Sequence, residues 1–394
     1  MDAISQDLER WMPRLLEVFR AHRRTRGPAD RLLPDELALV VRGVRRLSEG
    51  LTRGRRLVGA HYMDDPELLA TYLLYFWPIS YAQARHVLQE VGARPRAVLD
   101  LGSGPAPLSL AAFDAGAAEV TAADRSELAL NLARRVAASA GRTLTTRPWD
   151  PIVSDELPGG RQAWSVISLG HILNELWPGA SDRIARRAAL CRSLLARLRK
   201  GGSLVIIEPA LQVTTRELLQ VRDLLVAEGV PVRAPCLFRG PCPALEREVD
   251  WCHAERGWTP PPMLAEIISG AGLHKESIKI AYLVLGPAGE PWATPPPGRL
   301  FRVVSEQLPG KSRLRVMGCG PEGRVPLALG DSARTPANEA FVTAQRGDVL
   351  EVTEAEPAAD GPGVRVVATT GVRVVARAGE LLREDGARGK PQPR

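Results

Sequence analysis

The sequence has no apolar run approaching the roughly 18 residues needed to cross a membrane, so a membrane protein is not expected. Its start, "MDAISQDLERWMPRLLEVFRAHRR", is acidic early and has no apolar core followed by small residues. That pattern predicts neither a secretory signal nor a transit peptide. We therefore expect a cytoplasmic protein without a membrane partner.

Lysine is scarce, occurring only at positions 200, 275, 279, 311 and 390, although the formal net charge is +7. The positive charge therefore lies almost entirely on arginine, whose planar guanidinium suits phosphate groups. Such a basic excess indicates an anionic partner, for example a nucleic acid. A GC-rich genome, which favours arginine codons whatever the function, explains the same composition.

Strands and helices alternate in the middle of the chain, which predicts an α/β fold with a parallel, doubly wound sheet. The preceding residues have helical spacing. After a proline-rich linker, "PAGEPWATPPPGR", short alternating runs predict a small all-β, barrel-like module. The predicted units are a helical N-terminal region (1–93), an α/β domain (94–290) with a cysteine-bearing insertion (231–258), the all-β module (300–385) and a disordered tail (386–394).

A glycine-rich turn follows the first predicted strand of the α/β domain, in "VLDLGSGPAPLSLAAF". Asp100 ends the strand, and Gly102 and Gly104 permit a tight turn with close approach of a ligand. Asp124 ends the next strand, where a carboxylate can hydrogen-bond ribose hydroxyls. The order of these features indicates a nucleotide-type site, with a dinucleotide as one candidate ligand. A binding fold that has lost its ligand is the other interpretation.

The form "LDLGSGP" resembles motif I of the class I S-adenosylmethionine-dependent methyltransferases. The resemblance implies a Rossmann-like sheet that binds S-adenosylmethionine. By that resemblance, Gly102 and Gly104 would hold the methionine moiety, Asp124 the ribose and Asp150 the adenine.

The predicted fourth strand ends in "SLGHILNEL", which places His171, Asn174 and Glu175 where such sheets present catalytic groups. His171 could act as a general base toward a hydroxyl nucleophile. Alternatively, His171 packs against the cofactor and Asn174 caps a helix. The Asn-Pro-Pro-aromatic signature of many amino-group methyltransferases of nucleic acids is absent, and no cysteine lies in the context of carbon-5 pyrimidine methylation.

Only five cysteines are present, and three of them lie within seventeen residues: Cys236, Cys242 and Cys252. In a reducing cytosol, clustered thiols are more often metal ligands or catalytic groups than disulfides. A tetrahedral site needs a fourth ligand. Cys191 lies in a helix of regular apolar pattern, whereas Cys319 stands between glycines at the end of a β run, so we predict Cys319.

The wide spacing of these cysteines differs from the paired knuckles of structural zinc sites. Prolines beside Cys236 and Cys242 suit an iron–sulfur cluster held by four thiolates. Zinc is the second choice, with His253 as a spare ligand. Three unrelated buried thiols are the remaining alternative.

The combination of motifs resembles the methyltransferase-like proteins of the mitochondrial small ribosomal subunit and their bacterial homologues. The motifs that carry the resemblance, from about residue 70 to 330, are "YFWPISYAQARHVL", "LDLGSGPAPLSLAA", "GHILNEL", "APCLFRGPCPAL", "DWCHAERG" and "CGPEGR". The resemblance implies S-adenosylmethionine binding, action on assembling small subunits through ribosomal RNA, and a 4Fe–4S cluster. The implied cluster ligands are Cys236, Cys242, Cys252 and Cys319.

This chain departs from the family pattern at two places. Ala106 stands where the family usually has a third glycine, and Leu237 and Phe238 stand where it commonly has His-Asp. The first departure is a mild change that does not exclude cofactor binding, and the second concerns the surroundings of the cluster and not its ligands. Four cysteine ligands imply a closed, structural cluster, because a radical enzyme would leave one iron open.

Three functional hypotheses follow. The first is an iron–sulfur protein with a class I methyltransferase fold that binds small-subunit ribosomal RNA, with a monomer expected. The second is a small-molecule O-methyltransferase that uses His171 as base, although aromatic residues make up only 5% of the chain. The third is a non-catalytic assembly factor whose fold serves as a scaffold.

Overall fold

The computed structural model describes residues 3–92, 95–154, 156–160, 162–292, 294–359 and 361–382. The predicted disordered tail at 386–394 lies outside these residues. Within them, no helix is both long and apolar enough to span a lipid bilayer.

Three helices precede the first sheet: α1 (Ala3–Arg23), α2 (Pro34–Ser48) and α3 (Pro66–Val91). The longest of them, α3, begins where the Asp65 carboxylate accepts hydrogen bonds from the amides of Glu67 and Leu68. It ends at Gly92, whose φ of 63° is the left-handed conformation common after a helix. These helices confirm the predicted helical character of this region.

The first sheet has eight strands: β1 (Ala97–Leu101), β2 (Glu119–Asp124), β3 (Thr145–Pro148), β4 (Trp164–Gly170), β5 (Leu198–Glu208), β6 (Val232–Ala234), β7 (Ala254–Gly257) and β8 (Ser277–Leu285). Their order is β3-β2-β1-β4-β5-β8-β6, with β7 also paired to β8. The first five are parallel, and β8 is antiparallel to β5. The sheet is therefore mixed, which corrects the expectation of a parallel sheet.

Helices flank this sheet: α4 (Pro107–Asp114), α5 (Glu127–Ser139), α6 (Arg183–Leu195), α7 (Gln212–Ala227) and α8 (Pro262–Gly270). One hydrophobic core packs α1–α5 and α8 against one face, and a second packs α6 and α7 against the other. The alternation of strands and helices is thus confirmed. The sequence also predicts a helix running on through 198–202, but these residues belong to β5.

The second sheet contains β9 (Leu300–Val303), β10 (Leu308–Pro309), β11 (Arg313–Gly320), β12 (Gly323–Gly330), β13 (Val349–Thr353), β14 (Glu356–Pro357), β15 (Val364–Val366) and β16 (Gly371–Ala376). Its order is β14-β15-β12-β11-β9-β13-β16, with β10 on β11, and a short helix α9 (Glu339–Val342) joins its core. That these strands close into a barrel stays a prediction.

Candidate functional site

The turn between β1 and α4 is held by Asp100, which is 1% exposed. Its carboxylate accepts hydrogen bonds from the amide and hydroxyl of Ser109 (3.0 and 2.7 Å) and from the hydroxyl of Ser168 (2.8 Å). Burial raises the pKa of Asp100 to about 6, against the lowering by these bonds. Asp100 therefore joins the end of β1 to α4 and to β4.

Two glycines shape the turn that follows. Gly102 has a φ of +65°, and a Cβ there would lie 2.1 Å from Cδ1 of Ile172. Gly104 has a φ of +51° and faces the methyl of Met63. Ala106 also adopts a left-handed φ of +61° at the N-terminus of α4. That conformation explains a preference for glycine at this position, and it costs alanine about 1–2 kcal/mol.

Asp124 ends β2 beside the same turn. Its carboxylate accepts hydrogen bonds from the amides of Gly104 (2.7 Å) and Ser126 (2.8 Å). Burial is the main reason why the pKa of Asp124 is raised above its usual value. A carboxylate has about four lone-pair positions, so Asp124 can still accept hydrogen bonds from a ligand.

One cavity brings most of the predicted site residues together. It encloses about 80 Å³ at the carboxyl ends of β1, β2 and β4. The predicted residues on its wall are Asp100, Gly102, Gly104, Asp124, Asp150, His171 and Glu175. Asn174 is not among them and lies on the wall of an adjoining cavity. Two of the predicted catalytic residues, His171 and Glu175, therefore line the same cavity as the predicted cofactor-binding residues.

Residues 59–64, between α2 and α3, close this cavity on the side away from the sheet. The Arg125 guanidinium donates to the carbonyl of Gly59 (3.1 Å), and the Ser126 hydroxyl donates to the Asp64 carboxylate (2.5 Å). Residues 59–64 therefore form part of the wall of the proposed pocket, together with the carboxyl ends of the strands. From the sequence, these residues are assigned only to the N-terminal region (1–93), and no motif there signals this contact.

His171 follows β4 with a φ of +60°. Its Nε2 lies 2.8 Å from Oε1 of Gln83, whose amide nitrogen donates to the carbonyl of Lys279. The Gln83 oxygen must accept, so Nε2 of His171 carries the proton. Burial lowers the pKa of His171 to about 4, which makes the imidazole neutral at pH 7 and leaves Nδ1 as an acceptor.

Asn174 and Glu175 lie on the turn after His171. The Asn174 amide donates to the carbonyl of His171 (3.0 Å) and its oxygen accepts from Arg55 (3.0 Å), so this side chain fixes the turn. The Glu175 carboxylate accepts from the hydroxyl of Tyr62 (3.1 Å). Burial raises the pKa of Glu175 to about 7, so it is partly protonated at neutral pH.

The four predicted metal ligands, Cys236, Cys242, Cys252 and Cys319, line a second cavity of about 60 Å³. Three of them come from the segment between β6 and β7, and Cys319 comes from β11 of the second sheet. Burial, followed by the neighbouring thiols, raises the pKa of Cys252 to about 11 and of Cys319 to about 12. The remaining cysteine, Cys191, is buried in α6 as predicted.

These thiols are not arranged as a formed coordination shell. Among the residues that the structure describes, no group of three His, Cys, Asp or Glu side chains is placed to hold a metal ion. The structure thus brings the four predicted cysteines to one cavity and leaves the predicted metal unsupported.

Three arginines lie near the thiols, and no sequence pattern indicates them: Arg222 and Arg302 are buried, and Arg324 is partly buried. Arg302 and Arg324 lie directly opposite Cys319 on β9 and β12, so all three side chains share one face of the sheet. Arg222 donates to the carbonyl of Phe238 in the cysteine segment (2.7 Å). Each guanidinium has a buried Nε without a hydrogen-bond partner in the described structure, which is expensive unless an anion offsets it.

The arginines and thiols together are complementary to a negatively charged ligand. A cluster bound by four thiolates carries negative charge, and the unpartnered guanidinium N–H groups would face it. Sulfur ligands in a tetrahedral set also suit zinc. The chemistry of the donors therefore fits the predicted cofactor, although the shell is not assembled.

Several solved structures resemble this chain distantly. A ribosomal protein L11 methylase from Lactobacillus delbrueckii subsp. bulgaricus is 14% identical, over 54% of this chain and 78% of that chain, with a TM-score of 0.31. An O-methyltransferase family protein from Burkholderia thailandensis is 14% identical, over 65% and 74%, with a TM-score of 0.38. Likenesses this low carry no argument about function.

Residues 66–322, well over half of the chain, match the family described as Mitochondrial small ribosomal subunit Rsm22. None of the curated proteins matches the sequence. The matched span includes α3, the whole first sheet and the four cysteines of the thiol cavity. The chain therefore belongs to the Rsm22 family.

Proposed function

We propose that this chain binds S-adenosylmethionine and acts on the RNA of a small ribosomal subunit during its assembly. The observation that carries the first part is the cavity at the carboxyl ends of β1, β2 and β4, where Asp124 is held against the glycine turn. Membership in the Rsm22 family and the arginine-rich composition support the second part.

In this proposal, Gly102 and Gly104 allow the methionine moiety to approach the backbone, Asp124 accepts from the ribose hydroxyls and Asp150 reaches the adenine. When bound, S-adenosylmethionine supplies a methyl group on a positively charged sulfur. His171 is neutral and offers Nδ1 as a proton acceptor toward the acceptor molecule. Asn174 and Glu175 then act by holding the His171 turn and the covering segment 59–64 in place.

We propose further that Cys236, Cys242, Cys252 and Cys319 bind a 4Fe–4S cluster, with zinc as the second choice. Their convergence on one cavity supports this proposal, as do the nearby arginine Nε atoms that lack a hydrogen-bond partner among the described residues. Because the ligands come from both sheets, the cluster would fix the second sheet against the first. Its binding energy would then contribute to folding, and its binding would release thiol protons.

Cofactor binding is tested with Gly102→Ala, measured by isothermal titration calorimetry with S-adenosylmethionine. The added Cβ would meet Ile172 at 2.1 Å and distort the turn. Gly141→Ala is the matched control, because Gly141 has nearly the same φ (+67°) with nothing within 4 Å of the added Cβ. We expect at least tenfold weaker binding for Gly102→Ala only, a change of about 1.4 kcal/mol.

Ribosome association is tested by cofractionation with small subunits at rising salt. We expect association at low salt that falls steeply as salt rises, since phosphate contacts release counterions. Association that persists in a chain unable to bind S-adenosylmethionine would favour the non-catalytic scaffold. Cofactor binding without any association at low salt would contradict the ribosomal proposal and favour the small-molecule methyltransferase.

A further inference from the structure

A larger cavity adjoins the proposed cofactor pocket. It encloses about 650 Å³, within the roughly 300–1,000 Å³ typical of ligand pockets. The two cavities share Tyr62, Tyr72, Ser80, His171 and Glu175 on their walls. A ligand in the larger cavity would therefore lie next to a ligand in the smaller one, with His171 between them.

Aromatic rings form one wall of this cavity. Tyr72 and Phe76 stack with ring centroids 5.4 Å apart and planes inclined by 21°. Tyr62 also lines this cavity, and its hydroxyl donates to Glu175. A wall of this kind suits a flat heteroaromatic ring, because bases stack on aromatic side chains.

Two nitrogen groups give the cavity its polarity. Nδ1 of His171 is a free acceptor, since Nε2 donates to Gln83. The half-buried Lys275, in the loop between α8 and β8, has no hydrogen-bond or ion-pair partner for its ammonium group among the described residues. Both groups lie on the wall of the same cavity, and the positive charge of Lys275 is a secondary cause of the lowered pKa of His171, after burial.

The charge of Lys275 is not offset by the acidic residues of the cavity. Burial, and then the like charge of Lys279, lowers the pKa of Lys275, and no carboxylate counters them. Glu255 is engaged by the hydroxyl of Ser277 and lies 3.7 Å from Arg346. Glu175 accepts a hydrogen bond from the hydroxyl of Tyr62, and Glu276 and Glu306 are exposed. An oxygen that carries negative charge is therefore the partner that Lys275 lacks.

We infer that this cavity binds a single unpaired nucleobase through a ring N–H that stands beside a carbonyl oxygen, as in uracil and guanine. The N–H donates to Nδ1 of His171, and the carbonyl accepts from Lys275. As the N–H donates, negative charge collects on the carbonyl oxygen, where the ammonium stabilises it. Cytosine and adenine offer an amino group beside a ring nitrogen and gain less from the cation.

This assignment rests on the proposed action on RNA, and it specifies the part of the RNA that is read. The cavity is too small for a base pair and its strands, so the base must be unpaired or turned out of its helix. The other bases of the strand stay outside, where arginines can contact the phosphates without sequence preference.

The test is fluorescence anisotropy with labelled seven-nucleotide RNAs, AAAXAAA, in which X is U, G, C or A. We expect the full chain to bind the U and G strands at least about tenfold tighter than the C and A strands, as a hydrogen bond to a charged group predicts. Equal binding of all four strands would overturn the inference. Tighter binding of free uridine than of the U strand would assign the cavity to a small molecule instead.

Lys275→Met should abolish the preference for U and G, whereas Lys275→Arg should retain most of it. Lys311→Met is the control, because Lys311 is exposed, lies in the second sheet's β10–β11 turn and carries the same charge. Both methionine variants lose one positive charge, so both should weaken all strands alike through phosphate contacts. If Lys275→Met and Lys311→Met keep the same preference, the inference is wrong.

Two further measurements separate this inference from the proposed function. The base preference is measured without cofactor. Failure to bind S-adenosylmethionine would therefore refute the proposed function, whereas the base preference would still be tested independently by the RNA-binding experiment. Thermal unfolding of each variant confirms that it is folded. Should Lys275→Met not fold, loss of the preference on Phe76→Leu tests the aromatic wall of the same cavity.

Discussion

The substitution Glu90→Gln should destabilise the chain more than any exposed ion-pair change. Glu90 lies in the last turn of α3, its side chain is 1% exposed, and its carboxylate lies 3.1 Å from Arg256 and 3.0 Å from Arg302. Its carboxylate also accepts a 2.5 Å hydrogen bond from the hydroxyl of Tyr282. Glu90 thus joins α3, the first sheet and β9 of the second sheet.

The expected loss of stability follows from the two buried arginines that the substitution leaves without a charged partner. Glutamine removes the only carboxylate that the structure records in an ion pair with either Arg256 or Arg302, and two buried cations remain. Removing one partner of a buried pair costs about 3–5 kcal/mol. For 394 residues, an unfolding entropy of about 2.1 cal/mol/K per residue amounts to about 0.8 kcal/mol/K, so the midpoint should fall by about 4–6 °C.

Differential scanning calorimetry measures this shift. The control is Asp331→Asn, which breaks the 3.0 Å pair with Arg334, whose side chains are 54% and 46% exposed. Exposed pairs contribute about 0–1 kcal/mol, so the control should shift the midpoint by about 1 °C at most. A Glu90→Gln shift no larger than that of the control would refute the reasoning that Glu90 holds the two sheets together.

Two further outcomes are expected. Cys319→Ser should lower the iron content and visible absorption of anaerobically purified protein, whereas Cys191→Ser, in α6 away from the cavity, should not; equal iron in both would contradict the proposed ligand set. Burial raises the pKa of Glu208 to about 8, so at neutral pH the native state holds a proton that the unfolded chain has lost, and stability falls as pH rises from the ordinary carboxyl range to about 8. Glu208→Gln stays neutral and should therefore gain thermal stability relative to wild type between pH 6 and pH 9; a difference independent of pH would contradict this.

The β1 turn was predictable because its signals are local. A strand, two glycines, a helix and the acid of the next strand follow one another between Ala97 and Asp124, and the structure places Gly102, Gly104 and Asp124 together. The closure by residues 59–64 was not predictable. Arg125 and Gly59 are 66 residues apart, and neither has a pattern that points to the other.

The extent of β5 shows how tertiary contact overrides local spacing. Leucines at helical spacing favour helix up to residue 198, yet Leu198 pairs with Trp164 and the strand begins there. A Cβ at Gly202 would lie 2.9 Å from the carbonyl of Trp164, so only glycine allows this approach. The sequence predicts glycine as a helix stop, whereas the structure uses it inside a strand.

The cysteines of the thiol cavity were predictable from the sequence, whereas the arginines near them were not. Cysteine is rare in this chain, so three of them close in sequence, and a fourth between glycines, were enough to predict which thiols meet. Arginine is abundant, so nothing in the sequence distinguishes Arg222, Arg302 or Arg324 from the other arginines. Only the register of β9, β11 and β12 places two of them beside Cys319.

Arg302 connects the thiol cavity to the ion pair at Glu90. It lies opposite Cys319 across the β9–β11 pair, lines the cavity, and reaches Glu90 at 3.0 Å with a different part of the same guanidinium. Its Nε has no hydrogen-bond partner in the described structure. A negatively charged ligand bound among the thiols would therefore stabilise the Arg302 guanidinium, which also pairs with Glu90. The thiol cavity and the contact between the two sheets are thus coupled electrostatically through Arg302.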